Sequence, residues 1–297
     1  MRLNFKWLHL GAAIMTGLLF STGCTKDEAI RPLDDQSIEE RGLINGSPVN
    51  TALIGLTPTN ELVNLMSGPP VVDLGIIPIT GLRDSGEFVL AIDTRPSNKQ
   101  LYGVSNYSLL YTINTTTGVA TPVSQQSFVP AINGATIGLD FTAQNDQLRL
   151  VTETGQNLRI NPTTGLVIAV DPALCGLGTG LNSIAYTYPQ GTTPPLLYGL
   201  DPKTGFLHRQ AGSTGGALSY VGDTGFQFAG DGGFEITSGQ TAFAVQFGRS
   251  RLGPVFGSDP QYDDISQETH RLMKIDLRKA KVTSYGRVRP MIGLAVK

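Results

Sequence analysis

The chain has 297 residues, with 22 Lys and Arg against 24 Asp and Glu, a formal charge of −2 and a sequence pI near 5.9. That balance excludes the basic footprint a nucleic-acid partner requires. Two cysteines and three histidines exclude a disulfide framework and a Cys/His metal cluster of ordinary spacing.

In chain order, the first element is a leader. Met1 to Lys6 carries Arg2 and Lys6, Trp7 to Phe20 is uncharged and apolar, and small residues follow to Cys24, which reads as a signal peptide over residues 1–23. Its apolar run of roughly 14 residues is short of the about 20 needed for a stable spanning helix. The stretch FSTGC resembles the lipobox of bacterial lipoproteins, with Ser21 where that motif usually has Leu. The resemblance implies lipidation, palmitate included, at Cys24 and a membrane-anchored lipoprotein of the bacterial outer membrane. The following CTKDEAI is similar to the charged signal that sends some such lipoproteins to the cell surface. With Cys24 modified, Cys175 has no disulfide partner. Residues 24–50 hold six acids against Lys26, Arg31 and Arg41 with scarcely any periodic apolar content, the composition of a flexible acidic tether.

Residues 51–297 read as one all-β domain, rich in Gly, Thr and Val, with turn signals every 8 to 12 residues or so. A hairpin is written twice, LYTINTTTGVATPV from Leu110 and LRINPTTGLVIAV from Leu158. In both, Asn and Gly flank the turn, one able to cap it and the other supplying positive φ. The segments FVLAIDT, TIGLDFT, LNSIAYT and GGFEITS, beginning at Phe88, Thr136, Leu181 and Gly232, each open a unit of four short strands, the pattern of a β-propeller blade. Ala52 to Ile77 supplies three strands of a further unit, and PMIGLAV, from Pro290 to Val296, supplies the missing first strand. The expectation is a five-bladed β-propeller closed by pairing the C-terminal strand with the N-terminal blade, which removes free edges at the closure.

The run GLDFTAQNDQLRLVTETGQNLRINPTTG, with AIDTRPSNKQLYGV before it and GLTPTNELV near the start, resembles the bacterial domain of unknown function 4394 family across Leu53 to Val296. The chain departs from that family at Thr142-Ala143, where Asn-Pro is usual, and at Gln147, where Arg is usual. The family has no assigned activity, so the resemblance implies architecture and leaves chemistry open.

For chemistry, His208 falls in a strand and His270 just before one, away from any neighbour that would make a metal set or a Ser-His-Asp arrangement. Cys175, among small apolar residues, reads as a packed thiol. No metal and no cofactor is expected. Asp93, Asp140 and Glu235 stand near the ends of first strands, which line a propeller's channel. They either cap the loops after their strands or converge as the acid and base of a glycoside hydrolase or as cation ligands. Arg95, Arg149, Asn157 and Arg159, with Asp140, are candidate binding residues, since Arg suits two-point recognition of carboxylates. The same guanidiniums suit pairing with Asp93, Asp140 or Asp146, and on that reading Arg159→Ala costs at least about 2 kcal/mol. The insertion Arg249 to Thr269 reads as a solvated lid. The reading preferred is a membrane-tethered binding or scaffold module with a carbohydrate, peptide or protein ligand and no nucleic acid; the alternative is a carbohydrate-active enzyme using the channel acids.

Overall fold

A computed structural model describes residues 50–174, 180–210, 216–251 and 269–297, without the side chains of 229–231 and 250. The leader, Cys24, Cys175 and most of the Arg249 to Thr269 insertion lie outside the described residues.

The described residues form no helix and five antiparallel four-stranded sheets. Blade 1 joins β20 (Gly293–Val296) to β1 (Ala52–Leu56), β2 (Glu61–Met66) and β3 (Val72–Pro78). Blade 2 holds β4 (Val89–Thr94), β5 (Leu101–Ser105), β6 (Leu110–Ile113) and β7 (Ala120–Pro122). Blade 3 holds β8 (Ile137–Thr142), β9 (Gln147–Thr152), β10 (Asn157–Ile160) and β11 (Val167–Val170). Blade 4 holds β12 (Ser183–Tyr186), β13 (Leu197–Asp201), β14 (Phe206–Gln210) and β15 (Leu218–Asp223), and blade 5 holds β16 (Phe226–Ile236), β17 (Ala242–Ser250), β18 (Thr269–Ile275) and β19 (Val282–Arg287). The inner strands β4, β8, β12, β16 and β20 adjoin one another in a closed ring. The expected closure is present, with Leu53 to Leu56 paired against Val296 to Gly293.

The first two strands of the blades are buried on both faces, so they are nearly continuously buried, and successive side chains enter opposite seams. Five apolar clusters result, one in each seam. Ile54, Leu62, Ile92 and Leu101 mark the seam of blades 1 and 2, Tyr102, Leu139, Phe141 and Leu148 that of 2 and 3, and Leu200, Phe226, Phe234 and Met273 that of 4 and 5. Leu53, Leu65, Phe243 and Leu272 close the ring between blades 5 and 1. Among the described residues the seam of blades 3 and 4 is the thinnest, with Val151, Leu174, Leu181, Ile184, Tyr186 and Leu197 as its buried apolar members.

The repeated turn works as its residues dictate. Asn114 Oδ1 accepts the Thr116 and Thr117 N–H groups, Asn161 Oδ1 those of Thr163 and Thr164, and Asp276 Oδ1 those of Arg278 and Lys279. Gly118 follows at φ 74°, and a Cβ there would lie 2.0 Å from the Pro78 carbonyl oxygen of blade 1. Outer edges are interrupted: the pairing of third and fourth strands shifts register in blades 1, 3, 4 and 5, placing a bulge where an open ladder would recruit another chain.

Deleting Met291 to Lys297 removes β20 and with it the Glu235-facing wall of the axis. The truncated protein is expected to lose cooperative thermal unfolding, measured by circular dichroism; a melting temperature equal to that of the parent would contradict the closure.

Candidate functional site: the axial carboxylates

Each inner strand is paired on one side only, so the N–H groups on its other side face the axis and need acceptors. At the end of the ring where the inner strands leave the axis, five such groups belong to Thr94, Phe141, Tyr186, Ile236 and Val296. Three carboxylates serve all five. Asp93 Oδ1 accepts the Thr94 N–H at 2.6 Å and Oδ2 the Phe141 N–H of blade 3 at 2.6 Å. Asp140 Oδ1 accepts the Tyr186 N–H of blade 4 at 3.1 Å. Glu235 accepts the N–H groups of Ile236 and of Val296 in blade 1. In blades 4 and 1 the equivalent positions are Ala185 and Ala295, both buried.

The acids therefore converge, and they also cap backbone, but across blades as well as within their own strands. One oxygen from each of Asp93, Asp140 and Glu235 lies within 4.8 Å of the others, and each residue is 4% exposed. Burial and mutual repulsion disfavour three negative charges here. Asp93 is pushed up to about 7, chiefly by burial, against the pull of the Phe141 and Thr94 N–H groups and of Glu235. Asp140 is raised well above the carboxylate range by burial, then by the charges of Asp93 and Glu235. Glu235 is raised likewise by burial and by Asp93, to which it is hydrogen-bonded; with both carboxyls acceptors of N–H groups, the bond requires a proton between them. Tyr188, nearby, is raised by burial and by all three acids.

Among the described residues these three side chains are the one group of His, Cys, Asp or Glu able to share a metal ion. Their shared place near the ends of first strands disclosed the group in sequence, where spacing within one segment could not, because the ligands come from three blades. The oxygen-only donor set would suit a hard cation, although five N–H groups already occupy much of its lone-pair capacity. Farther along the axis, Gly138, Gly233 and Gly293 let the strands close in, leaving a cavity of about 10 Å³ lined from all five inner strands, room for roughly one water.

The remaining predicted residues form two other groups, and both bind acids of the chain itself. Arg95 of blade 2 makes a two-point bond to Asp146 of blade 3, assisted by Ser97, and donates to the Tyr102 hydroxyl. Arg149 and Arg159, neighbours on β9 and β10, both bind Asp171, at 3.1 and 2.9 Å. Arg149 also donates to Asn157 Oδ1 at 2.6 Å, and Asn157 Nδ2 to the Pro172 carbonyl. Pairing with Asp146 was legible in the sequence. Pairing with Asp171 was not, since that residue follows β11 and comes into reach only through the register shift at Arg159/Ile160. The sequence also passed over buried Glu87, which takes bonds from the Ser105 and Tyr111 hydroxyls and the Arg83 N–H.

The fold and axis define a class: a five-bladed propeller with a buried, proton-sharing carboxylate hub. Within that class the chain belongs to the family described as Domain of unknown function (DUF4394), whose model matches residues 61–295. None of the curated proteins compared with it is significantly similar. Three solved structures align at low identity: a protein of unknown function from Bacteroides thetaiotaomicron (12% identity, TM-score 0.45, 82% of this chain and 59% of that one), the Dos1 propeller (12%, 0.40, 80% and 62%) and an engineered GH43 glycoside hydrolase with endo-xylanase and exo-arabinofuranosidase activity (11%, 0.45, 82% and 56%). The chain spans less than two thirds of the length of each.

Two predictions follow from the charges. Arg149 and Asp171 are nearly enclosed, at 2% and 5% side-chain exposure, whereas Arg159 is 25% exposed. Arg149→Ala empties a buried site and removes the donor to Asn157 Oδ1, with Asp171 still held by Arg159, and is expected to cost about 2 to 3 kcal/mol. Arg159→Ala, with Arg149 still holding Asp171, is expected to cost about 1 kcal/mol or less, below the loss that the sequence suggests; urea unfolding measures both. The second concerns pH. Asp93 ionises near 3.8 when unfolded and near 7 in the ring, so its stabilisation is full below 3.8 and disappears as pH rises through 7. Asp140→Asn keeps an acceptor for the Tyr186 N–H and removes one charge. The decline in melting temperature between pH 5 and 8 is expected to be shallower in this variant than in the parent.

Proposed function

We propose that the protein is an exported lipoprotein, held on the bacterial outer membrane through lipid on Cys24, whose propeller is a non-catalytic binding or scaffold module for a carbohydrate, peptide or protein. The observation that supports this over an enzyme is the occupation of the axis. All three channel acids are buried and bonded to backbone N–H groups, and the adjoining cavity has room for roughly one water, too little for a sugar ring. Ligand recognition then falls to the loops at either end of the ring, where short turns on a rigid scaffold hold their geometry.

Convergence of three acids on one axis favours the second reading, a glycoside hydrolase. One experiment reads both halves of the proposal. Parent, Cys24→Ser and Glu235→Gln proteins are expressed in a bacterial host, labelled with palmitate, fractionated and assayed on aryl glycosides. The parent should carry label and sediment with membranes, Cys24→Ser should lose both, and none should hydrolyse the substrates. Label retained on Cys24→Ser overturns the anchor; hydrolysis by the parent that Glu235→Gln abolishes overturns the binding module in favour of the enzyme.

A further inference from the structure

The seam between blades 3 and 4 differs from the other four. Its apolar cluster is the smallest among the described residues, and the two sheet faces that meet there are polar. Blade 3 presents Asp140, Arg149, Asn157 and Arg159, with Asp171 just beyond β11; alternation and the placement of the Arg149 guanidinium 5.9 Å from the Tyr186 ring centre fix that orientation. On blade 4, Leu197 packs into this seam while Tyr198 and Leu200 pack toward blade 5. The residues in phase with Leu197 across the ladder are Gly199, Asp201, Phe206, His208 and Gln210, then Tyr220 on β15.

His208 is 2% exposed, and among the described residues neither ring nitrogen has a hydrogen-bond partner. It lies opposite Gly199, 6.4 Å from the Phe206 ring and 6.3 Å from the Tyr220 ring. Asp201 is fully buried; its Oδ1 accepts the Lys203 N–H and, among the described residues, its Oδ2 has no partner. A neutral imidazole is tolerated in such a place; an imidazolium, with two N–H groups and a charge, is not unless it gains an acceptor. Burial depresses the basicity of His208, while Asp201 pulls weakly the other way. Tyr186, Tyr220 and Asp223, the last opposite Phe206 and ion-paired with Arg251, are the other titratable groups on its own sheet face, and Asp140, Arg149, Arg159 and Asp171 those on the face opposite.

We propose that His208 makes the seam of blades 3 and 4 an acid-sensitive opening, at which the outer strands of blade 4 loosen from blade 3 when the imidazole takes a proton. The sign follows from linkage. The unfolded chain protonates its histidine near 6.5, the folded seam only at lower pH, so stability from this residue is present at pH 7.5 and declines as pH falls through 6.5. The axial acids act in the opposite direction, so the test compares variants at matched pH. Phe fills the same space between two aromatic rings without a proton to bind.

Melting temperatures are measured at pH 7.5 and 5.5 for the parent, His208→Phe and His270→Phe, the last as control for a half-buried histidine against Phe247. The advantage of His208→Phe over the parent should grow by about 2 to 4 °C on acidification, and that of His270→Phe should grow less. Amide exchange, corrected for intrinsic pH dependence, should quicken at Leu207 to Gln210 at pH 5.5 in the parent and not in His208→Phe. The His208 Cε1 proton resonance, assigned by its loss in the variant, should titrate below 6.5. A midpoint at or above 6.5, or equal acid sensitivity in parent and His208→Phe, overturns the proposal; should His208→Phe fail to fold, the resonance in the parent decides alone.

Discussion

Five edge strands brought together around an axis present a shared problem: each turns unpaired N–H groups toward a space too narrow for solvent to serve them. The protein answers with three carboxylates for five donors. Asp93 and Glu235 each bind the N–H that follows them and one in the next blade, while Asp140 binds only forward, to Tyr186. These bonds cross from blade 2 to 3, from 3 to 4 and from 5 to 1, so they fix the relative height of neighbouring blades at the point where their sheets are closest. Alanine at the two other inner positions leaves the carboxylates room and avoids adding a fourth like charge.

Around this hub the stabilisation is distributed. No single core exists; each blade contributes one face to each of two seams, and polar clasps join seams at larger radius. Arg95 with Asp146 spans blades 2 and 3, and Arg289 with Asp73 links the segment before β20 to the outer strand of blade 1. The seam of blades 3 and 4 departs from this plan. It replaces apolar area with the Arg149, Asp171 and Asn157 network on one face and His208 and Gln210 on the other. Buried polar groups of this kind specify geometry at some expense in stability, and they place a titratable imidazole inside one seam.

Much of the fold was legible because it rests on local rules. The period of two, the Asn-x-x-Thr-Gly turns and the match of PMIGLAV to TIGLDF fix strand order, blade number and closure without any long-range information. Arg95 with Asp146 was within reach, since both sit in loops of equivalent blades. The axis was only half legible. Position near the end of a first strand placed Asp93, Asp140 and Glu235 at the channel, yet their use of N–H groups in neighbouring blades depends on the tilt and approach of strands 46 to 61 residues apart, for which no local pattern stands. Asp171 and His208 were missed for a related reason: a bulge brings the first into reach of two arginines, and the second acquires meaning only from what faces it across a seam.

The ring closure has a mechanical corollary. β1 is the first strand after the long leading segment of the chain, yet it is held on both sides, by β20 over Leu53 to Leu56 and by β2 over Ala52 to Leu56. Tension transmitted through the residues before Ala52 therefore runs along a strand flanked by two antiparallel ladders. It must shear their hydrogen bonds together, whereas a strand at the rim would peel away one bond at a time. The site at which the propeller joins the rest of its chain is, by this construction, among the places best able to bear load.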